Sequence, residues 1–147
     1  MSDKWVRRFL ELASTVAQWS KDPNTKVGAV IVDDKNRVVS LGFNGFPRRV
    51  SDDKELYQDR TIKLRSVVHA EINAILFAKQ DLTGCTLYVT PLAPCAQCAS
   101  AIIQSGISRV VTLPTKVDSK WVEEIAVAKS NLNAAGVRFD IVDFHSR

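Results

Sequence analysis

One histidine and two cysteines in the middle of the chain have side chains that could bind a metal ion. His69 is followed two residues later by Glu71, and Cys95 and Cys98 form a Cys-x-x-Cys pair further along. Zinc prefers such nitrogen and sulfur ligands, and three protein ligands leave the fourth tetrahedral position open to water, as in catalytic zinc sites. The pattern predicts one open zinc site per chain.

The spacing of these residues on predicted helices agrees with a shared metal ion. Cys95 and Cys98 are three residues apart, so both sulfurs lie on one face of a helix. If both ligand segments begin helices, the positive helix ends favour thiolate over thiol. An ideal helix places His69 and Glu71 on different faces, so their cooperation requires an irregular first turn.

A structural zinc site is the alternative interpretation of the Cys-x-x-Cys pair. Such a site needs a fourth cysteine or histidine, and the sequence offers Cys85, which enters a predicted strand, and His145 near the C-terminus. We interpret Cys85 as a small buried residue. The odd number of cysteines disfavours a disulfide framework.

Helices and strands predicted from apolar periodicity must hold these side chains. Residues 4–19 form an amphipathic helix whose apolar stripe, with Trp5 and Trp19 at its ends, faces the core. Residues 44–66 show neither the apolar period of a helix nor that of a strand, and are predicted to be mostly loop. The remaining elements are a hairpin of strands 27–32 and 37–43, helix 69–79, strand 87–90, helix 95–104, strand 109–113, helix 118–135 and strand 137–142.

The order of these elements, αββαβαβαβ, defines the fold class. The first two strands are joined by the short polar turn 33–36 and pair antiparallel, whereas the later strands alternate with helices, which predicts parallel pairing through right-handed crossovers. We therefore expect a three-layer α/β fold in which a mixed five-stranded sheet has helices on both faces. The length suits a single domain over residues 1–147.

Composition and charge narrow the classes of protein to which the chain could belong. The chain is 46% hydrophobic and 24% charged, as in folded globular proteins, and no segment approaches the ~18 to 20 apolar residues of a membrane span. The N-terminal residues lack the apolar region of a signal peptide, so we expect a cytoplasmic protein. The net charge of +4 comes from scattered basic residues without a long run, so no nucleic-acid partner is expected.

A longer pattern connects the candidate metal ligands with a known family. His-x-Glu followed by Pro-Cys-x-x-Cys is the signature of the zinc nucleobase deaminases. Together with the segments 20–23, 27–29, 42–45 and 69–74, it makes the chain resemble the deoxycytidylate (dCMP) deaminases over residues 5–142. The resemblance implies the cytidine-deaminase-like fold and the hydrolysis of dCMP to dUMP and ammonia, which supplies thymidylate synthesis.

The resemblance also implies the roles of the signature residues. Zinc held by His69, Cys95 and Cys98 lowers the pKa of water from 15.7 towards ~7. Glu71 accepts the proton of that water, delivers it to ring nitrogen 3 and later protonates the departing ammonia. The alternative for Glu71 is a carboxylate that stabilises a helix N-terminus.

Substrate contacts are expected on both sides of the signature. By resemblance, Asn44 hydrogen-bonds the sugar hydroxyl with Lys26 at the rim of the pocket, although Asn44 could instead be a turn former. The 5′-phosphate needs a cation or amide donors. The candidates are Lys26, Arg48, Arg49 and Lys116, and each could equally be a solvated surface charge. The family more often has an aromatic residue where Lys116 stands.

Relatives with a Gly-Tyr-Asn-Gly segment are commonly hexamers activated by dCTP and inhibited by dTTP. Phe43 replaces the tyrosine here, which keeps the ring and removes a hydroxyl. The resemblance implies a homo-hexamer in which Mg²⁺ could accompany the regulatory triphosphate, and a simple β-turn is the alternative for the segment. The implied triphosphate site comprises Gly42, Phe43, Asn44, Gly45, Arg48 and Arg49.

Two other functions stay open from the sequence. One is another deaminase of the superfamily, acting on tRNA adenosine, free cytidine or a riboflavin precursor. The other is a noncatalytic zinc or nucleic-acid-binding module.

Overall fold

The computed structural model describes residues 3–114 and 116–144, and His145 lies outside the described residues. None of the described helices is long and apolar enough to cross a membrane. In chain order the elements are α1 (Asp3–Ala17), β1 (Gly28–Val32), β2 (Val38–Phe43), α2 (Lys54–Gln58), α3 (Arg60–Ser66), α4 (Ala70–Ala78), β3 (Thr86–Thr90), α5 (Ala96–Gln104), β4 (Arg109–Thr112), α6 (Ser119–Ala134) and β5 (Arg138–Ile141).

The five strands form one mixed sheet in the order β2-β1-β3-β4-β5. β1 pairs antiparallel with both β2 and β3, whereas β3, β4 and β5 pair in parallel. The parallel strands are joined through α5 and α6, as the alternation of helices and strands predicts. The predicted mixed five-stranded sheet is therefore confirmed.

Helices cover both faces of this sheet, because the side chains of each central strand alternate between two apolar clusters. On β1, Ala29 and Ile31 join a cluster with α4, α5 and α6. Val30 and Val32 join the opposite cluster, which contains the buried face of α1. The predicted three-layer α/β arrangement is confirmed, and the helices α4 and α5 lie on the same face.

The prediction of a mostly loop segment over residues 44–66 is wrong for its second half, where α2 and α3 lie. Both helices are short, with 5 and 7 residues, so neither is long enough to show a helical period in the sequence. Asp59 caps α3 by accepting a hydrogen bond from the amide of Ile62 at 3.1 Å. Tyr57 of α2 is buried and its ring packs against Phe46, with 4.5 Å between centroids.

The prediction that Trp19 faces the core is also wrong. α1 ends at Ala17 and the chain then turns, so the helical period does not extend to Trp19. Its side chain is 52% exposed and meets the ring of Phe43 edge-on, with 6.4 Å between centroids. At the other end of the stripe, Trp5 stacks on Phe9.

Helix α4 packs directly on strand β2, and Gly42 makes the close approach possible. A Cβ atom at Gly42 would overlap the carbonyl oxygen of Ala70 and the amide nitrogen of Ala74. Two hydrogen bonds hold the same contact: Ser40 Oγ donates to the carbonyl of Ala74 at 2.7 Å, and Asn73 Nδ2 donates to the carbonyl of Phe43 at 2.8 Å. This contact fixes the start of α4, where the candidate site begins.

We expect Gly42→Ala to lower the free energy of unfolding by about 1 to 3 kcal/mol, because overpacking at a backbone contact forces the helix away from the strand. Urea unfolding followed by circular dichroism measures this change. Gly45→Ala is the matched control, since the nearest atom to its added Cβ is Tyr57 Oη at 3.7 Å. Equal stability of the two variants would show that α4 can shift without cost.

Candidate active site

The side chains of His69, Cys95 and Cys98 lie together. Nδ1 of His69 is 3.2 Å from Sγ of Cys98 and 3.5 Å from Sγ of Cys95. The three ligand atoms all lie within 4.8 Å of one another, and no other group of three His, Cys, Asp or Glu side chains within the described ranges is this compact. Two sulfurs and one imidazole nitrogen at such spacing fit a zinc ion with an open fourth position.

The starts of two helices hold these ligands. His69 is the N-cap of α4 with extended backbone angles, φ −69° and ψ 153°, so it precedes the helix. Cys95 is the N-cap of α5, and its Sγ accepts a hydrogen bond from the amide of Cys98 at 3.4 Å. Glu71 lies in the first turn of α4. The extended conformation of His69 supplies the irregular first turn that the sequence required.

Burial and mutual hydrogen bonds shift the pKa values of Glu71 and of the three candidate ligand side chains in the metal-free protein. Burial raises the pKa of Glu71 to about 7. A hydrogen bond from the thiol of Cys98 lowers the pKa of Cys95 to about 4, and the same thiol–thiol bond, together with burial, raises the pKa of Cys98. A hydrogen bond with Cys95 raises the pKa of His69. The lowered pKa of Cys95 favours its thiolate, and a bound cation would favour the thiolate form of both cysteines.

A cavity of about 390 Å³ opens above Glu71 and His69, a size within the range of about 300 to 1,000 Å³ typical of small-ligand sites. Its walls come from the segment before β1, the end of β2, α3, the start of α4, the loop after β3 and the start of α6. The lining residues are Asp22, Thr25, Val27, Asn44, Lys63, Leu64, Val67, His69, Ala70, Glu71, Leu92, Ala93, Val117, Asp118 and Trp121.

Asn44 is the one sequence-predicted substrate residue among those cavity walls. It is buried, and its Oδ1 accepts a hydrogen bond from the amide of Val27 at 2.9 Å. Its Nδ2 donates to the carbonyl of Thr25 at 2.9 Å and approaches Asp22 Oδ2 at 3.4 Å. These bonds tie the end of β2 to the segment before β1, so Asn44 helps to shape the cavity as well as facing it.

The four basic residues suggested for phosphate binding lie elsewhere. Lys26 and Lys116 are exposed, and neither is among the residues that line the cavity. Arg48 and Arg49 are also exposed, and the guanidinium of Arg48 lies 5.6 Å from the ring centroid of Phe77. The structure therefore does not bring these cations to the walls of the cavity.

The residues of the segment 42–45 have different structural surroundings. Gly42 packs against α4, Phe43 is 39% exposed, and Gly45 forms a short antiparallel bridge with Val68. Because adjacent strand residues point to opposite faces, Phe43 lies at the surface while Asn44 faces the cavity.

Sequence reasoning missed most of the cavity wall, including Asp22, Lys63 and Trp121. Nζ of Lys63 lies 3.0 Å from both carboxylate oxygens of Asp22. Trp121 lies in the first turn of α6, and its indole Nε1 is buried without a hydrogen-bond partner among the described residues. Asp22 lies in the segment 20–23 that carries part of the resemblance, whereas Lys63 and Trp121 belong to no recognised motif.

Helix α6 is tied to the helix that carries the cysteines. Oε1 of Glu124 accepts a hydrogen bond from the amide of Ala96 at 3.2 Å, and Asp118 caps α6 by accepting from the amide of Trp121 at 2.9 Å. The wall formed by α6 is therefore held in a fixed position relative to Cys95 and Cys98.

A mixed sheet whose helix starts bring a His/Cys/Cys cluster next to a buried glutamate defines the class of zinc nucleobase deaminases. The family described as "Cytidine and deoxycytidylate deaminase zinc-binding region" matches residues 3–113. The chain belongs to this cytidine and deoxycytidylate deaminase family.

Curated relatives agree with that membership, and a solved structure shares the fold. The chain is 50% identical to an "Uncharacterized deaminase in luxG 3'region" of Aliivibrio fischeri, covering 93% of this chain and 92% of the relative. It is 39% identical to the deoxycytidylate deaminase of Homo sapiens, covering 92% and 78%. A dCMP deaminase of the cyanophage S-TIM5, solved in complex with dCMP and dUMP, has the same fold, with a TM-score of 0.73 at 22% identity over 97% and 99% of the two chains.

Proposed function

We propose that the protein is a zinc-dependent deaminase that hydrolyses dCMP to dUMP and ammonia. The observation that carries the proposal is the buried Glu71 beside the His69, Cys95 and Cys98 cluster at the base of a nucleotide-sized cavity. The human deoxycytidylate deaminase, 39% identical over most of this chain, supports the choice of dCMP. We place the enzyme in the cytoplasm, where its product would supply thymidylate synthesis.

In this proposal Glu71 moves the protons. Zinc bound by His69, Cys95 and Cys98 would supply a Lewis acid that lowers the pKa of water to about 7. Glu71 takes a proton from the attacking water and gives it to ring nitrogen 3 as the oxygen bonds to carbon 4. It then takes the second proton of that oxygen and gives it to the amino group, which leaves as ammonia. Burial raises the pKa of Glu71, which favours a carboxyl that can both accept and donate a proton near neutral pH.

The rest of the cavity would orient the nucleotide. Asn44 is proposed to hydrogen-bond the sugar hydroxyl, and its hydrogen bonds to the segment before β1 would keep that contact rigid. Lys26 and Lys116, which lie outside the cavity walls, could contribute only at the rim.

We expect kcat/KM for dCMP to exceed that for deoxycytidine on the order of 100-fold, since charge-assisted contacts to the phosphate would orient the reacting ring. Ammonia release from the two substrates, measured with purified zinc-loaded protein, gives the ratio. A tRNA anticodon stem-loop and free cytidine in the same assay test the other deaminase activities. Comparable kcat/KM values for dCMP and deoxycytidine would reject the nucleotide assignment.

The proposal includes regulation by dCTP as activator and dTTP as inhibitor in a hexamer. Phe43 at the surface and Asn44 in the cavity are adjacent, so a ligand that moves the segment 42–45 would also move a cavity wall. Arg48 and Arg49, exposed a few residues later, supply charge for a triphosphate. Any Mg²⁺ would arrive with the triphosphate, since the metal cluster described above is built from His and Cys.

The rate as a function of dCMP concentration is expected to be sigmoidal alone, hyperbolic with dCTP, and shifted to higher dCMP with dTTP, because the effectors favour different conformations. Initial rates at millimolar effector, with the oligomer followed by sedimentation, measure this. Superimposable curves from a monomeric protein would reject regulation and leave the catalytic proposal standing.

A further inference from the structure

We infer that Lys63, held in place by Asp22, binds the 5′-phosphate of the nucleotide, an inference that rests on the proposed function. Among the residues that line the cavity within the described part of the chain, Lys63 is the only lysine or arginine. Its side chain is 20% exposed, so most of it is buried against the protein. Within the described walls, Lys63 therefore offers the cationic side chain that a phosphate in the cavity could contact.

Asp22 fixes the position of this ammonium group. Its side chain is 2% exposed, and its Oδ1 accepts hydrogen bonds from the amides of Asn24 and Thr25 at 2.9 and 3.3 Å. Nζ of Lys63 lies 3.0 Å from both of its oxygens. A carboxylate held by two backbone amides keeps the long lysine side chain in one orientation, which removes part of the entropy cost of ordering it on a ligand.

The ion pair leaves bonding capacity on the lysine for a ligand. An ammonium group has three donors, of which two can face the oxygens of Asp22 and one remains for the cavity. The charge of Asp22 is shared among the amides of Asn24 and Thr25, the amide group of Asn44 and Lys63, so it is compensated before a phosphate arrives. Before a ligand binds, the ion pair between Lys63 and Asp22 also leaves neither of these largely buried charges without a partner.

The arrangement of these side chains matches the order of groups in a nucleotide. His69 and Glu71 mark the position of the reacting base. Asn44 is the proposed sugar contact, and it follows two residues after Gly42, which packs against α4. Nδ2 of Asn44 approaches the carboxylate of Asp22, which in turn holds Lys63. Base, sugar and phosphate would therefore meet one continuous wall of the cavity.

The test compares Lys63→Met on a nucleotide and on the nucleoside that lacks its phosphate. We expect kcat/KM for dCMP to fall about 10- to 100-fold, the range for a lost charge-assisted hydrogen bond, while kcat/KM for deoxycytidine changes less than about threefold. Lys54→Met, at an exposed lysine of the neighbouring helix α2, removes the same charge outside the cavity and should change neither value.

Two further variants separate phosphate binding from a purely structural role. Lys63→Met leaves Asp22 without its partner and could unfold the protein, so Asp22→Asn/Lys63→Met removes both charges and retains an oxygen for the amides of Asn24 and Thr25. We expect this folded double variant to lose the same preference for dCMP. Lys63→Arg, which keeps the charge, should restore most of it. Equal losses on dCMP and deoxycytidine would overturn the inference.

The affinity of the wild type and the variants for dUMP and for deoxyuridine, measured by calorimetry, does not depend on turnover. If the wild type binds dUMP tightly but does not deaminate dCMP, the proposed function fails, and the affinity of Lys63→Met for dUMP still decides the role of Lys63. If Lys26→Met or Lys116→Met loses the preference for the phosphate while Lys63→Met keeps it, the inference is wrong.

Discussion

Glu71→Gln is expected to lower kcat for dCMP about 10²- to 10⁴-fold while the protein keeps its zinc and its fold. Glutamine has nearly the same size and fills the same buried position, but its amide cannot accept and return a proton. Water would then have no base at the reacting carbon, and ring nitrogen 3 and the amino group would have no proton donor. Single-turnover rates with zinc-loaded variant and wild type measure the effect.

The fold of this variant is checked in the metal-free state. Burial raises the pKa of Glu71 from 4.5 to about 7, so the folded state binds more protons than the unfolded state between these values, and wild-type stability falls as the pH rises through them. Glutamine does not titrate. The metal-free variant should therefore be at least as stable as the wild type above pH 7, in thermal unfolding at a series of pH values.

Glu123→Gln is the matched control, because Glu123 is an exposed carboxylate on α6 that lies outside the cavity. It should retain wild-type kcat. A Glu71→Gln enzyme within about tenfold of the wild type would reject the proton-transfer role, and loss of zinc together with activity would show instead that Glu71 supports the metal cluster.

The candidate metal ligands and Glu71 form two pairs that could be recognised because each pair is local in the sequence, whereas the meeting of the two pairs was inferred from the family signature. Cys95 and Cys98 meet through a spacing of three residues at a helix start, and His69 and Glu71 are two residues apart at another. The sheet could be predicted for a related reason: β-branched runs such as residues 28–32 are buried on both faces, which leaves a continuous apolar signal.

The walls of the cavity depend on packing between distant elements. Lys63 and Asp22 are separated by 41 residues and form an ion pair because α3 folds back over the segment before β1. α3 itself is too short to leave a helical period. Trp121 reaches the cavity because Glu124 ties α6 to the start of α5. Neither relation leaves a spacing that could be recognised in the sequence.

Gly42 shows that a glycine in a recognised segment can have more than one physical explanation. The resemblance placed Gly42 in the implied triphosphate site, where a glycine would let a ligand approach the backbone closely, and the structure shows a close approach of the backbone to α4. Both need a residue without a side chain, so the sequence alone does not separate them. The contact between Gly42 and α4 also matters for the proposed function, since it positions the turn that holds Glu71.

Replacing any one of His69, Cys95 and Cys98 with alanine is expected to reduce the bound zinc from about one ion per chain to a small fraction, with loss of deamination. Two protein ligands remain in each variant, too few to hold the ion against exchange with solvent. Elemental analysis by mass spectrometry after gel filtration measures the metal content, and ammonia release measures activity.

Cys85→Ala is the matched control for the cysteine variants. Cys85 is buried like Cys95 and Cys98 but lies outside the metal cluster, and burial raises the pKa of its thiol. Its loss should lower stability slightly by removing a buried sulfur, and should leave zinc content and kcat unchanged. Full zinc occupancy in any of the three ligand variants would contradict the assignment of that ligand. Loss of zinc from Cys85→Ala would mean that global destabilisation alone empties the site, and zinc content would then have to be compared among variants of equal stability.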